Sequence, residues 1–154
     1  MKKLLFVTLV LGMLITSCTR EKPWQPLFNG VNLENWDMHV GTPLKGFDSL
    51  ALTATPEKLF SVVTLDGANV IRISGEVNGS LATRESFENY HLRLVCKWGE
   101  KVYTSRNSGL LYHSTGDFGA ALGTWMTNIE CQLMQGNMGD TYLMNNTVCE
   151  TEAV

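Results

Sequence analysis

Beyond an apolar opening, the chain alternates polar and apolar residues with the period of two that marks β-strands, and helical spacing is scarce. The longest alternation runs over residues 90–98. Leu92, Leu94, Cys96 and Trp98 fall on one side, and His91, Arg93, Val95 and Lys97 on the other. Residues 60–65 and 70–74 read as two strands of a hairpin, with Asp66-Gly67 as the turn between them. Further strands are predicted at 80–83, 108–114, 125–134 and 141–148, separated by turn-rich residues at 75–79, 115–124 and 136–140. Leu27-Phe28-Asn29-Gly30 reads as a strand end entering a turn, residues 33–37 as a single turn that buries Trp36, and 41–58, with Pro43 and Pro56, as a loop or insertion. Many short strands with frequent turns predict an all-β fold, a sandwich or a barrel. The sequence stops at residues 147–154 without a turn or cap, and a two-sheet sandwich usually needs more strands to close its edges. The expectation is therefore a partial sandwich domain, incomplete at its C-terminus.

The opening is of another kind. Met1-Lys2-Lys3, an apolar run over 4–15 and the small residues Thr16-Ser17 have the order of a secretory signal, and the run is shorter than the roughly 20 apolar residues of a spanning helix. Ile15-Thr16-Ser17-Cys18 resembles a bacterial lipobox, which implies cleavage before Cys18 and lipid attachment to its thiol. Residues 1–17 are thus expected to be a lipoprotein signal peptide, 18–26 a polar tether with two prolines, and 27–154 the domain. The expected location is the periplasm or cell surface, with the outer membrane touched only through the lipid on Cys18.

The formal net charge of −3 is spread over mixed acids and bases. No basic stripe supports nucleic-acid binding. Of four cysteines, lipidation would consume Cys18. Cys96 and Cys131 alternate with apolar neighbours and read as small core residues. Trp36 and Trp98 are likewise expected in the core.

Candidate chemistry lies in two strand-like runs, 106–113 and 128–133. In the second, Ile129, Cys131 and Leu133 share one face, and Glu130, Gln132 and Met134 the other. A carboxylate and an amide side by side on a sheet face suit a sugar-binding cleft. His113 shares its strand parity with Leu111 and Gly109, so it reads either as a site residue or as a satisfied, partly buried histidine. Arg106 and Asn107 read as donors to sugar hydroxyls or as turn residues. Tyr112 and Trp125 are candidates for stacking on a sugar face. A conventional glycosidase flanks the bond with two carboxyl groups, whereas Glu130-Cys131-Gln132-Leu133-Met134-Gln135 carries one.

Several segments, in order, resemble the bacterial 3-keto-disaccharide hydrolase family. They are Leu27-Phe28-Asn29-Gly30 with Asn32-Leu33 and Trp36; Asp66-Gly67 with Ile71-Arg72-Ile73-Ser74-Gly75; Gly79-Ser80-Leu81-Ala82-Thr83; and Phe87-Glu88-Asn89-Tyr90-His91-Leu92-Arg93. Trp98-Gly99-Glu100, Arg106-Asn107-Ser108-Gly109-Leu110-Leu111-Tyr112-His113 and Ile129-Glu130-Cys131-Gln132 follow. The resemblance implies a concanavalin A-like jelly-roll β-sandwich acting on 3-keto-glycosides. A 3-ketone acidifies the C2 hydrogen, so one base, one electrophile at the ketone oxygen and help for the leaving group suffice for β-elimination, with water adding back afterwards. On this reading His113 and Glu130 are the base and the acid or metal ligand, in either order, with a divalent metal ion as an optional Lewis acid. Arg106, Asn107, Tyr112, Trp125 and Gln132 would bind the oligosaccharide or glycoside. The competing expectation is a non-catalytic carbohydrate-binding jelly-roll module, since fold does not fix function.

Overall fold

The computed structural model describes residues 23–150. The expected signal peptide, and Cys18 as the expected site of lipid attachment, lie outside the described residues. Among the described residues seven strands form in chain order: β1 (Trp36–Pro43), β2 (Phe60–Leu65), β3 (Ala68–Ile73), β4 (Val77–Thr83), β5 (Gly109–Thr115), β6 (Thr127–Gln132) and β7 (Thr141–Met144). Two single-turn helices, α1 (Asp48–Ala51) and α2 (Pro56–Leu59), connect β1 to β2. The strands make three antiparallel sheets, β1–β4, β2–β3 and β5–β6–β7. The all-β expectation holds.

Local chemistry accounts for several elements. Leu65 pairs with Ala68, which leaves a two-residue loop. Its residues Asp66 and Gly67 both have positive φ, 51° and 81°, the geometry whose twist matches the flanking strands. Before β1, the Asn29 side chain accepts from the backbone N–H groups of Val31 and Asn32, so 27–30 is a side-chain-locked bend and not a strand end. The Trp36 N–H then donates to the Leu33 carbonyl at 3.0 Å and closes the tight turn expected there. The stretch expected to be loop is more ordered: residues 41–43 complete β1, and α2 starts on Pro56 with Thr55 as its cap, the Thr55 hydroxyl accepting from the Lys58 N–H.

The core gathers around Leu59, Phe60 and Val77, with Met38, Val40, Leu50 and Leu81 packed against them. It therefore sits where α2 delivers the chain into β2, against the β1–β4 pair. The third sheet is tied to this body by polar contacts. Thr124, fully buried before β6, accepts from the Thr42 N–H at 3.0 Å, and the two hydroxyls lie 3.1 Å apart. Asn78 Nδ2 donates to Thr42 Oγ1 at 3.0 Å, and Phe118 stacks on His39 at 5.0 Å between ring centroids.

Residues 90–98 depart from the sequence reading. They form no strand, and Leu94 and Val95 are 52 % and 84 % exposed. Trp98 and Cys96 are exposed rather than in the core, while Cys131 is half-buried and Cys96, Cys131 and Cys149 are all free thiols. Alternation supplies a strand with two faces but no ladder partner, and no described strand pairs with this segment.

The junction of β1 with Thr124 has no spare volume. A methyl group on Gly41 would collide with the Thr124 side chain, which is held by its own hydrogen bonds. Gly41→Ala is expected to lower stability by about 1–3 kcal/mol in denaturant titrations. Gly99→Ala, where a methyl group meets open space, should stay within about 0.5 kcal/mol of the parent.

Candidate active site

The β5–β6 register sorts the candidate residues onto two faces. Leu111 pairs with Glu130 and Gly109 with Gln132, while Tyr112 pairs with Ile129 and Leu110 with Cys131. Directly opposed residues of antiparallel strands share a face and successive residues do not. Glu130 and Gln132 therefore lie on one face, and Tyr112 on the other with Ile129 and Cys131.

His113 leaves its expected face. The β5–β6 register shifts between Tyr112 and Thr115, and His113 has φ of 52°. A bulge with one residue in the left-handed region re-aims the side chain it carries. The imidazole lies 5.5 Å from the Tyr112 ring at a steep angle of 61° and 6.2 Å from the Tyr90 ring. With Asn89, these three residues line an open hollow of about 390 Å³. Asn89, at φ 51°, makes the bend that leads into Tyr90. Non-glycine residues in this conformation are uncommon and cluster at functional sites.

The shared hollow expected for His113 and Glu130 does not form in this geometry, because the bulge carries the imidazole toward Tyr112 and Glu130 does not line the hollow. The Glu130 carboxylate lies over Gly109, where the absence of a side chain makes room for it. Burial pushes its carboxyl above the usual range. Gln132 is buried, and its Oε1 accepts from the Leu133 and Met134 N–H groups at 3.0 Å each, so its amide oxygen shapes the turn after β6. Arg106 Nη2 donates to the Gly99 carbonyl at 3.3 Å, and its own carbonyl accepts from the Gln135 N–H. Asn107 is exposed in the same loop. Trp125 forms a bridge with Ala121 ahead of β6. None of these four lines the hollow at His113.

Tyr112 has the chemistry of a proton donor. Its phenol is pushed above the ordinary value first by burial and then by the charges that Cys131, Cys149 and Tyr90 would carry once ionised. It therefore stays protonated at neutral pH. Sequence alone offers Tyr112 for stacking and gives Asn89 and Tyr90 no role. Their signal lay in the resembling Asn89-Tyr90 pair, but contact with His113 depends on a bulge that alternation does not reveal.

The family model described as the 3-keto-alpha-glucoside-1,2-lyase-like domain matches residues 23–150. The chain belongs to that family. No curated protein and no solved structure matches it. The match to this lyase-like domain takes in both faces of β5–β6 and the Asn89-Tyr90 segment. Among the described residues, no three His, Cys, Asp or Glu side chains gather as metal ligands.

The raised carboxyl of Glu130 has a thermodynamic counterpart. An acid that holds its proton more tightly when folded favours folding most below its unfolded pKa, and this contribution is lost as pH rises through the folded value. Glu130→Gln is therefore expected to raise Tm at pH 7. The gain should vanish below about pH 4, where the parent carboxyl is protonated in both states. Thermal unfolding of both proteins across this range measures it.

Proposed function

We propose that this lyase-like domain cleaves 3-keto-glycosides by β-elimination in the hollow lined by Asn89, Tyr90, Tyr112 and His113. The carrying observation is the placement of an imidazole 5.5 Å from a phenol that holds its proton, on one wall of an open hollow. Its volume falls within the range of small-ligand sites. The exposed imidazole of His113 takes the C2 proton of the bound sugar, and the electron pair moves onto the ketone oxygen. Tyr112 donates a hydrogen bond to that oxygen, where charge develops. The enolate then collapses, a C1–C2 double bond forms, and the glycosidic C1–O bond breaks to release the aglycone, which takes a proton. Water added across the double bond, hydroxyl to C1 and hydrogen to C2, gives net hydrolysis. The 1,2-lyase in the family description supports the elimination step.

Tyr90 offers apolar ring area to a sugar face, and Asn89 an amide to its hydroxyls. Glu130 and Gln132 support the sheet from its other face. The setting we propose is the periplasm or cell surface, with the chain held to the outer membrane by lipid on Cys18. The basic, apolar and small-residue order of residues 1–17 supports it.

A second reading, a carbohydrate-binding module without chemistry, draws on the same aromatic walls. Mass-spectrometric product analysis on a 3-keto-disaccharide separates the two. The elimination reading expects an unsaturated keto sugar or its hydrate. It expects His113→Ala to lower kcat by about 10²-fold or more, and Tyr112→Phe by about 10²-fold. Glu130→Gln should keep turnover within a few-fold of the parent. Binding without product would favour the module. Loss of turnover in Glu130→Gln, with His113→Ala unaffected, would move the base to the opposite face of the sheet.

A further inference from the structure

A second hollow, sharing no lining residue with the first, opens beside the β2–β3 hairpin. It has a volume of about 370 Å³, and its wall includes Lys58, Arg72, Ser74, Glu76 and Tyr103. Arg72 and Ser74 are two residues apart along the β3 direction, so they share a face, and the Ser74 N–H extends the pairing by donating to the Leu59 carbonyl at 2.9 Å. Lys58 lies in the last turn of α2, and its ammonium is steadied by donating to the Thr53 carbonyl at 2.7 Å. Lys101 lies outside the lining but near it, its Nζ 4.4 Å from the centre of the Tyr103 ring. Phe47 meets that ring at a right angle, 5.6 Å away, so Tyr103 is braced from two sides.

Two cations and one acid thus line the hollow, with Lys101 close by on the Tyr103 ring, on a chain of net charge −3. Among the described residues, the two ion pairs are Arg84–Asp37 and Lys97–Asp66, and neither involves Lys58, Arg72 or Lys101. The Ser74 hydroxyl is buried in the same wall without a hydrogen-bond partner among the described residues. A buried hydroxyl left unpaired is costly, and a ligand oxygen that reached it would remove the cost.

We infer that this hollow is a binding site for a carboxylate-bearing sugar of the uronic acid class. The guanidinium of Arg72 matches a planar carboxylate, Lys58 adds a point charge, and Ser74 supplies a hydroxyl. Tyr103 supplies an aromatic wall for the ring. Glu76 opposes the ligand's charge and holds the affinity down.

Calorimetric titration of the full chain with glucuronate, glucose and inorganic phosphate tests the assignment. Glucuronate should bind, weaken as salt rises, and exceed glucose and phosphate by about tenfold. Arg72→Gln should weaken it by about tenfold and Arg72→Lys by less, whereas Glu76→Gln should tighten it. His113→Ala should leave it unchanged, because His113 lines the other hollow. Equal affinity for glucose or for phosphate would overturn the assignment, as would indifference to Arg72→Gln. Loss of glucuronate binding in His113→Ala would place the ligand in the first hollow and overturn it equally. Arg72 and Glu76 lie outside the buried core, and an unchanged thermal unfolding curve for each variant confirms that binding is being read.

Discussion

The contact between Thr42 and Thr124 fixes the rest of the architecture. Three small antiparallel sheets share no ladder with one another. A two-stranded sheet is marginal alone and must be held by packing against a neighbour. Where β1 approaches the residues leading into β6, a buried threonine accepts from a backbone N–H of β1, and that residue's hydroxyl in turn accepts from Asn78 on β4. Gly41 contributes by having no side chain, so the Thr124 side chain comes close enough to the β1 backbone for a polar bond inside the protein. Moving Thr124 would shift the start of β6, and with it the β5–β6 register that sorts the candidate residues.

That register is what separates a structural polar pair from a chemical one. Glu130 and Gln132 occupy the face over Gly109, one with a carboxyl raised by burial and the other with its amide oxygen spent on the chain beyond β6. Tyr112 and the displaced His113 occupy the opposite side with Tyr90. The sheet is thin, yet two polar groups adjacent in sequence can belong to quite different environments. Side chains that look alike in a linear pattern, an acid beside an amide and a histidine beside a tyrosine, are told apart only by parity and its interruption.

The parts of the fold that depend on local chemistry were legible in the sequence. The Asp66-Gly67 hairpin could be read because a two-residue loop with positive φ at both positions requires such a pair. β6 could be read because its apolar residues alternate, and β5 because Leu110, Leu111 and Tyr112 make a short apolar run. β1 was hidden, since Gly41 and Pro43 interrupt a pattern that Trp36, Met38 and Val40 otherwise keep. Residues 90–98 erred the other way: their alternation is strong, but pairing is a long-range property. The site was legible in its membership, since His113 and Tyr112 were both singled out, and illegible in its grouping. No propensity marks His113 as the residue where the ladder slips. The family resemblance carried Asn89-Tyr90 without giving it a function, because the contact joins segments more than twenty residues apart.

The left-handed backbone at position 113 also narrows which amino acids can occupy it. Val, Ile and Thr crowd their own backbone in that region, whereas Gly, Asn, Asp and His are the residues most at ease there. Drift at this site is thus confined to a small alphabet by the shape of the main chain alone, before any chemistry is selected.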